Sequence, residues 1–484
     1  MPQSAEINFW RQMASVSASK LLNALGVILL ITVLNTAFSV EDIGVFFFFY
    51  VSVNFLSKFV GGVGEAIRKR VSANEGHNPR YLAVGTVFAL LFQTVVSVVI
   101  VSVYVFIPEQ LLPDTLQRAG LGIVLSAISL LFAQSIGKLL LSYNSGMGYP
   151  SRSEWFGRAL PGILFLVFAV VFTVTESSLS VILLAGTASY SLSALIMYVS
   201  TRPKLLVLPG REHVESVFDF GKWSILQMIS NNIYNSADVL LLGLLVTSTS
   251  VGFYESSNSL AGLLYVVPYG FYSVGNVMIS GLDAEGRKED IVSVLQESLR
   301  VSSIIPVMSF FVFLGFGDVI LEVVFGGSYG PAYWYLVGLG LVKVLSSYWK
   351  PLQGLNYGTN RPEVQFYANS YAIVANFVTV LPLIWYVGGL GVVISTVLAG
   401  VVQLAAVVAL TEEYAYEVDI RWTVLVTYST GIVLLLASQA IRGAFEFTTE
   451  QHLLLLAGFV VAYLVSNISL IGVDFSSPVT DSGE

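Results

Sequence analysis

The chain has 484 residues, of which 55% are hydrophobic and only 11% are charged, and its formal net charge is -8. Soluble domains usually carry about 25% charged residues, so this composition excludes a water-soluble globular protein. The chain contains no cysteine, which excludes disulfide frameworks, thiol nucleophiles and cysteine-ligated metal sites.

Apolar runs of about 20 residues, long enough to cross a hydrocarbon core of ~30 Å, recur along the whole chain. They predict an all-α integral membrane protein with about 14 transmembrane helices and connections shorter than about 20 residues. The first apolar run lacks a small-residue cleavage site, so no removable signal peptide is expected. The predicted spans are 14–37, 43–63, 81–106, 118–143, 158–175, 178–200, 220–247, 251–279, 292–322, 331–351, 364–386, 388–411, 421–441 and 451–471.

Lysine and arginine are concentrated in alternate loops. One set of loops contains Arg68, Lys69, Arg70, Arg80, Arg152, Arg158, Arg202, Lys204, Arg211, Arg287, Lys288, Lys350, Arg361 and Arg421. The opposite loops contain only Arg118 and Arg442. The positive-inside rule then predicts that both termini lie in the cytoplasm. We expect the protein in the cell (cytoplasmic) membrane.

Two segments repeat one motif. Lys138–Pro150 and Lys350–Pro362 both fit K-x5-N-x-G-x3-P, and weaker echoes place Gly44 over Gly252 and Gly76 over Gly286. We expect two parallel copies of a six-helix lobe, residues 1–210 and 211–415, followed by two extra transmembrane helices and a short tail in 416–484. The alternative is that two polar helix exits converged on Asn, Gly and Pro because these residues end helices.

Two parallel bundles related by an axis along the membrane normal can open a midplane cleft to each side in turn, as in many secondary transporters. No phosphate-binding G-x4-GK[ST] loop occurs in the sequence, so ATP is not the predicted energy source. Transport would instead use an ion gradient or the gradient of the substrate.

Four lysines lie more than one helical turn from either end of a predicted span, where an unpaired charge costs several kcal/mol. They are Lys20, Lys58, Lys138 and Lys343. Asn54 shares a helix face with Lys58, and Gln134 shares one with Lys138. These polar faces predict a cationic, water-filled cavity that binds a phosphate through lysine ammonium groups. In the alternative interpretation, Lys58 and Lys138 extend to the lipid head groups at the cytoplasmic surface.

Span 7 carries groups of the opposite sign. Asn231, Asn235 and Asp238 share one stripe, and Glu255 lies near the start of span 8. Such oxygen-rich faces can hold H⁺ or Na⁺, so they are the candidate ion-coupling residues. Asp238 could instead pair with a cavity lysine or cap a helix.

The sequence predicts neither a metal site nor a cofactor. The three histidines are scattered through loops and helix ends, at His77, His213 and His452. The three glycines in span 2, at positions 61, 62 and 64, are expected to allow close helix packing rather than to bind phosphate.

Several diffuse motifs together resemble the MOP flippase superfamily, in its polysaccharide-export branch of Wzx-type O-antigen flippases and their archaeal counterparts. The motifs are Trp10–Gln12 before span 1, Val40–Phe46 at the entry to span 2, the repeated Asn/Gly/Pro helix exit, and Phe220–Trp223 with Asp238 in span 7. The resemblance implies two six-helix lobes in a V shape. It also implies transport of a polyprenyl-(pyro)phosphate-linked oligosaccharide to the outer leaflet, for surface polysaccharide or glycoprotein glycan assembly.

The 14 spans also resemble lipid II flippases, which carry basic cavity residues on spans 1, 2 and 8. Lys20 and Lys58 stand at comparable positions, whereas span 8 has Glu255 and no basic residue, which argues against lipid II as the substrate. The implied partners are the lipid-linked oligosaccharide, membrane lipids, H⁺ or Na⁺, and glycan polymerase or transferase machinery. Nucleic acid is not among them.

Two other functions compete with transport of a lipid-linked glycan. A multidrug antiporter of the same superfamily, coupled to Na⁺ or H⁺, would bind cationic drugs through carboxylates, and intramembrane lysines argue against it. A membrane glycosyltransferase or ligase would need a sizeable external loop with catalytic carboxylates, and the predicted external loops are too short to supply one.

Overall fold

The computed structural model describes residues 21, 25–73, 79–149, 153, 155–175, 178–203, 207–411 and 417–471, and gives the backbone alone for residues 73, 158 and 220–235. Within these ranges the chain forms helices joined by short turns and contains no strand. The predicted all-α membrane fold is therefore confirmed.

A helix lies at each predicted span. In chain order these are α1 Leu25–Leu34, α2 Val40–Ala73, α3 Pro79–Phe106, α4 Asp114–Gly146, α5 Leu160–Val174, α6 Leu179–Thr201, α7 Arg211–Leu245, α8 Ser248–Ala284, α9 Lys288–Phe325, α10 Tyr333–Gly358, α11 Pro362–Val387, α12 Leu390–Leu410, α13 Arg421–Ala444 and α14 Thr449–Ile471. A short 3-10 turn, Leu263–Tyr265, interrupts α8.

Among the described residues, 11 helices are long and apolar enough to cross a membrane. The other three are α1, α7 and α10. The described apolar parts of α1 and α7 are short, and Lys343 and Lys350 make α10 more polar. The chain is a multi-pass membrane protein, and the number of 14 spans stays a prediction.

The chain packs as two compact units, whose boundary falls inside α8. The first compact unit is Leu30–Glu255, and the second compact unit is Ser256–Glu484 together with Met1–Leu29. The lobe boundaries that the repeat predicts, at residues 210 and 415, stay a prediction.

In the first compact unit, α2 and α4 form the centre of the packing. Val60 and Ile67 of α2 lie in one buried cluster with Leu139 and Tyr143 of α4. Gly64 lies so close to α4 that an added Cβ would come within 2.7 Å of the Ser142 Oγ. Lipid chains are as apolar as leucine, so helices in a membrane associate through such close packing, as predicted for this glycine.

The second compact unit is organised around α9. Within its apolar window 72% of the residues are buried, against 11% for α11, which places α9 inside the unit and α11 at its periphery. Leu295 of α9, Leu352 and Leu355 of α10, and Val407 of α12 form its buried cluster. The exposed aromatic and aliphatic side chains of α11 are therefore available to contact lipid.

The two copies of the repeated motif have the same backbone conformation. The same three backbone hydrogen bonds end both helices. In the first copy they run from Met147 N to Tyr143 O, from Gly148 N to Ser145 O and from Tyr149 N to Asn144 O. In the second copy they run from Thr359 N to Leu355 O, from Asn360 N to Tyr357 O and from Arg361 N to Asn356 O. The residues at the turn, Gly148 and Asn360, have φ values of 88° and 55°. This left-handed conformation favours Gly and Asn, and it ends both helices.

Both copies also pack against the matching helix of their own unit. A Cβ on Gly146 would lie 2.8 Å from the Arg68 carbonyl oxygen of α2, and one on Gly358 would lie 3.0 Å from the Asn276 carbonyl oxygen of α8. Convergence on residues that end helices would not explain why both helices also pack against the matching helix of their unit. The shared partner therefore favours a true repeat over convergence.

A second pair of matching positions lies at the starts of α2 and α8. A Cβ on Gly44 would overlap the Ser248 carbonyl oxygen, and one on Gly252 would lie 2.5 Å from the Val40 carbonyl oxygen. Ser248 precedes Gly252 by four residues, as Val40 precedes Gly44. The two helix starts therefore cross backbone to backbone, and only glycine fits at both positions.

The same two helix starts are capped differently. At α2, Asp42 Oδ2 accepts hydrogen bonds from the Ser39 N–H at 3.2 Å and from its hydroxyl at 2.9 Å, and the Ser39 Oγ accepts from the Asp42 N–H. At α8, the Thr247 Oγ1 accepts from the Ser250 N–H at 3.2 Å, but the carboxylate comes from α4: Asp114 Oδ2 accepts from the Ser248 N–H at 2.9 Å and from its hydroxyl at 2.7 Å. Each cap satisfies an N–H that the helix leaves unpaired.

Candidate functional site

The predicted substrate-binding residues fall into both compact units. Asn54 and Lys58 lie on α2, and Gln134 and Lys138 lie on α4, all in the first compact unit. Lys343 lies on α10 in the second compact unit. Lys20 lies outside the described residues, so its predicted role stays untested.

In the first compact unit, three side chains of α2 and α4 form what we call the serine–glutamine–lysine cluster: Ser57, Gln134 and Lys138. The Lys138 ammonium donates a hydrogen bond to the Ser57 Oγ. The Ser57 hydroxyl lies 3.1 Å from Gln134 Oε1 and 3.0 Å from the Asn54 carbonyl oxygen, the two acceptors for its proton. Ser57 and Gln134 are buried, while Lys138 is partly exposed.

The Gln134 amide of this cluster has unused hydrogen-bonding capacity. Its Nε2 is buried and has no hydrogen-bond partner within the described ranges of the chain. A buried, unsatisfied N–H is unfavourable by about 1–3 kcal/mol, so native proteins usually supply an acceptor for it. The amide N–H groups and the ammonium of Lys138, one helical turn away, are both donors, and an oxyanion could accept from both.

The two predicted residues of α2 lie beside this cluster. The Asn54 Nδ2 donates a 2.9 Å hydrogen bond to the Tyr50 carbonyl oxygen of its own helix. Lys58 is partly exposed and follows Ser57 directly. Its role in a cavity stays a prediction. Ser57 itself was not among the predicted residues, because a serine in an apolar helix usually bonds its own backbone.

In the second compact unit, facing stripes of α8 and α10 form what we call the lysine–tyrosine cluster: Tyr265, Tyr269, Tyr272, Lys343, Lys350 and Gln353. The Lys350 ammonium lies 5.4 Å from the ring centre of Tyr265 and 5.3 Å from that of Tyr272, within cation–π range. It also donates a 2.6 Å hydrogen bond to Gln353 Oε1.

The predicted residue Lys343 belongs to the same cluster. Its ammonium lies 5.7 Å from the ring centre of Tyr265 and donates to Asn258 Oδ1 at 3.5 Å. The rings of Tyr265 and Tyr269, and those of Tyr269 and Tyr272, are 5.8 and 5.6 Å apart. The tyrosines were missed because Tyr counts as an apolar residue in a span, although their i, i+4, i+7 spacing places them on one helix face.

Close helix packing holds the cluster in place. A Cβ on Gly354 of α10 would lie 3.1 Å from the Tyr272 carbonyl oxygen of α8. Because the backbones approach so closely, side chains that flank this contact on the two helices meet each other.

The two clusters occupy matching positions in the repeat. Lys138 and Lys350 open the two copies of the motif, and the spacing between Gly44 and Gly252 brings Ser57 over Tyr265. In each unit the lysine that opens the motif therefore contacts the same repeat position on the neighbouring helix. Lys138 contacts the Ser57 hydroxyl of α2, and Lys350 contacts the Tyr265 ring of α8.

The predicted ion-coupling residues are only partly described. Asp238 of α7 is 6% exposed, and its Oδ2 accepts a 2.6 Å hydrogen bond from the Tyr254 hydroxyl of α8. Glu255, the next residue, is partly exposed. The side chains of Asn231 and Asn235 lie outside the described residues, so ion coupling stays a prediction.

The described parts of the chain lack a metal-binding cluster but contain an apolar cavity. They contain no group of three or more His, Asp or Glu side chains placed to hold a metal ion. The second compact unit contains an open apolar cavity of about 650 Å³, whose lining includes Leu21, Leu264, Val267, Ile305, Met308 and Phe313. Such a lining can accommodate hydrocarbon but makes few polar contacts.

Comparison with known proteins identifies a matching family and several similar proteins. Residues 33–333 match a family model described as polysaccharide biosynthesis protein. A curated relative, the probable low-salt glycan biosynthesis flippase Agl15 of Haloferax volcanii, is 26% identical over 368 residues, which are 74% of each chain.

Two solved structures are similar over nearly their whole length. The lipid II flippase MurJ in an inward closed conformation has a TM-score of 0.71 and 13% identity, over 94% of this chain and 98% of that one. An inward-facing multidrug resistance MATE family transporter of the MOP superfamily has a TM-score of 0.64 and 15% identity, over 84% and 98%. The predicted MOP superfamily fold is confirmed.

Proposed function

Because the chain belongs to the polysaccharide biosynthesis protein family, we propose that it is a flippase that moves a lipid-linked oligosaccharide from the cytoplasmic to the outer leaflet. The curated relative is named a glycan biosynthesis flippase, and the MurJ structure is that of a lipid II flippase, so both support movement of a glycan on a lipid. The proposed carrier is a polyprenyl phosphate or pyrophosphate, and the proposed route is alternating access.

The observation that carries this proposal is the serine–glutamine–lysine cluster. Its partly exposed ammonium and its buried, unpartnered amide N–H lie one helical turn apart on α4, on a helix that crosses the membrane. Charged hydrogen bonds to a phosphate oxygen are roughly twice as strong as neutral ones. Lys138 and Gln134 would therefore neutralise and orient the phosphate, with Lys58, Lys343 and Lys20 as further cationic groups.

The chemistry of the substrate explains why a protein is needed. A glycan with many hydroxyl groups cannot enter hydrocarbon without losing its hydrogen bonds to water, at several kcal/mol for each unpaired group. The prenyl chain has the opposite preference and stays among apolar groups, for which the apolar cavity near α8 and α9 is a candidate. No bond is made or broken, so transport needs no nucleophile or general base.

The same fold also carries multidrug transporters. A cavity for cationic drugs needs carboxylates, whereas the two clusters described above present lysine ammonium groups. Their sign favours an anionic head group and argues against the multidrug function.

The proposal extends to ion coupling through Asp238. Its carboxylate is nearly buried and is held by the Tyr254 hydroxyl, so binding of H⁺ or Na⁺ there would change the packing of α7 against α8. Asn231, Asn235 and Glu255 are the accompanying oxygen ligands. Loss of transport in an Asp238→Asn variant that still binds substrate would support coupling, and unchanged transport under a collapsed ion gradient would contradict it.

The proposal also covers the setting of the protein. The proposed location is the cell membrane, and the excess of lysine and arginine in alternate loops supports a cytoplasmic position of both termini. Glycan polymerase or transferase machinery would then consume the substrate on the outer side.

The test of the flippase proposal replaces Lys138 in a host whose own glycan flippase has been removed. We expect Lys138→Ala to lower surface glycan, measured by mass spectrometry, by about tenfold or more because a charged hydrogen bond is lost. Lys138→Arg should keep substantial activity, and Lys69→Ala, an exposed lysine at the end of α2, should behave as the wild type.

Immunoblots of the membrane fraction check that each variant is inserted. Equal surface glycan in the wild type and Lys138→Ala, at equal protein level, would refute the role of the cluster. If the wild-type protein itself restores no surface glycan, the flippase proposal fails.

A further inference from the structure

We propose that the lysine–tyrosine cluster is a second binding site, which takes an acidic sugar ring of the transported glycan, such as a uronic acid or a sulfated sugar. This inference rests on the proposed function, which it deepens by naming the substrate class. It concerns residues of the second compact unit alone and does not involve the serine–glutamine–lysine cluster.

The side chains of the cluster line a partly exposed surface and are not part of the packed core. Tyr265, Tyr269 and Tyr272 follow one face of α8, and Lys343 and Lys350 follow the facing side of α10. Every one of these five side chains is partly exposed, although both helices bury much of their length. A ligand can therefore reach rings and ammonium groups together.

The aromatic rings select a sugar rather than a bare phosphate. A pyranose ring has a face of C–H groups and an edge of hydroxyl groups, and the electron-rich face of a tyrosine attracts the C–H side. The tyrosine hydroxyl, Gln353 and Asn258 can exchange hydrogen bonds with the sugar hydroxyls. A tetrahedral phosphate has no apolar face, so three successive rings would contribute nothing to its binding.

The lysines select an acidic sugar. All partners of Lys350 within the described residues are neutral: the Gln353 side chain and the rings of Tyr265 and Tyr272. A partly buried ammonium without a counter-charge is unfavourable, because removal from water is only partly offset by neutral groups. A carboxylate or sulfate on the sugar would supply the missing charge and displace the ammonium from the rings.

The proposal predicts binding of free acidic sugars to the detergent-purified full chain. The probes are a trimer of galacturonic acid and the matching uncharged trimer of galactose, with binding measured by isothermal titration calorimetry. We expect the acidic trimer to bind about tenfold tighter or more. Lys350→Met, which keeps the length of the side chain, should remove that preference without loss of the neutral trimer.

A second variant tests the rings. Tyr269→Leu should weaken both trimers by about threefold or more because ring stacking is lost. Lys69→Met, an exposed lysine of α2, is the control for loss of one positive charge and should bind both trimers as the wild type. Melting curves of each purified variant show that the fold is retained.

The inference is overturned if neither trimer binds, if both bind equally, or if Lys350→Met keeps the preference. It is also overturned if inorganic pyrophosphate displaces the acidic trimer while Tyr269→Leu leaves its affinity unchanged, since the cluster would then be a phosphate site. Failure of the flippase proposal would be a different result, in which the wild-type protein restores no surface glycan in cells that lack their own flippase.

Discussion

Replacing Gly252 with alanine should loosen the crossing of α2 and α8. The added Cβ would lie 2.5 Å from the Val40 carbonyl oxygen and 2.9 Å from its Cγ1, whereas real Cβ atoms essentially never come within 3.0 Å of such neighbours. The helices would have to separate by about 0.5 Å, and the carbonyl oxygen belongs to backbone that cannot rotate away. Overpacking of this kind is destabilising by about 1–3 kcal/mol.

A thermal melt of the purified protein in detergent, followed by intrinsic fluorescence, measures this effect. Gly252→Ala should lower the apparent melting temperature by several degrees, and Gly44→Ala should lower it further because its Cβ would overlap the Ser248 carbonyl oxygen. Gly281→Ala, in the same helix but with nothing within 4 Å, is the matched control and should be neutral or slightly stabilising. An unchanged melt of Gly252→Ala would refute the described crossing.

Three further substitutions test contacts by the same melt. Asp114→Asn should lower stability by about 0.5–2 kcal/mol because the Ser248 N–H loses a charged cap, and an unchanged melt would show that the cap is dispensable. Arg442→Met should loosen α13 from α9 by about 1 kcal/mol or more, since Arg442 donates to Asp318 at 2.7 Å, and limited proteolysis between α13 and α14 should accelerate. Tyr463→Phe removes a buried 3.1 Å hydrogen bond and should be destabilising by about 0.5–1.5 kcal/mol, whereas equal stability would mean that the hydroxyl contributes nothing.

The helices could be predicted because apolar length is dictated by the bilayer, but their ends could not. Span 2 was predicted to end at residue 63, whereas α2 continues to Ala73 through Glu65, Arg68 and Arg70. Hydropathy reports where a helix leaves hydrocarbon. The end of a helix depends instead on hydrogen bonds and packing, which continue beyond the membrane.

The candidate site was predicted in part. The shared helix face of Gln134 and Lys138 follows from spacing alone, and the structure brings both to Ser57 on another helix. Pairing between helices is a tertiary contact, so spacing within one helix cannot reveal it. Tyr265 was not predicted for a different reason. A tyrosine ring can contact lipid, the protein core or a ligand equally well, so the sequence does not distinguish these roles.

The cap at the start of α8 has a consequence for how the protein is made. At α2 the carboxylate of Asp42 comes from the helix itself, while at α8 Asp114 is supplied from 134 residues earlier in the chain. Ribosomes synthesise the chain from its N-terminus, so α4 exists before α8 is made. The carboxylate that accepts from the Ser248 N–H is therefore already synthesised when α8 is made, and it adds to the local cap in which the Thr247 Oγ1 accepts from the Ser250 N–H.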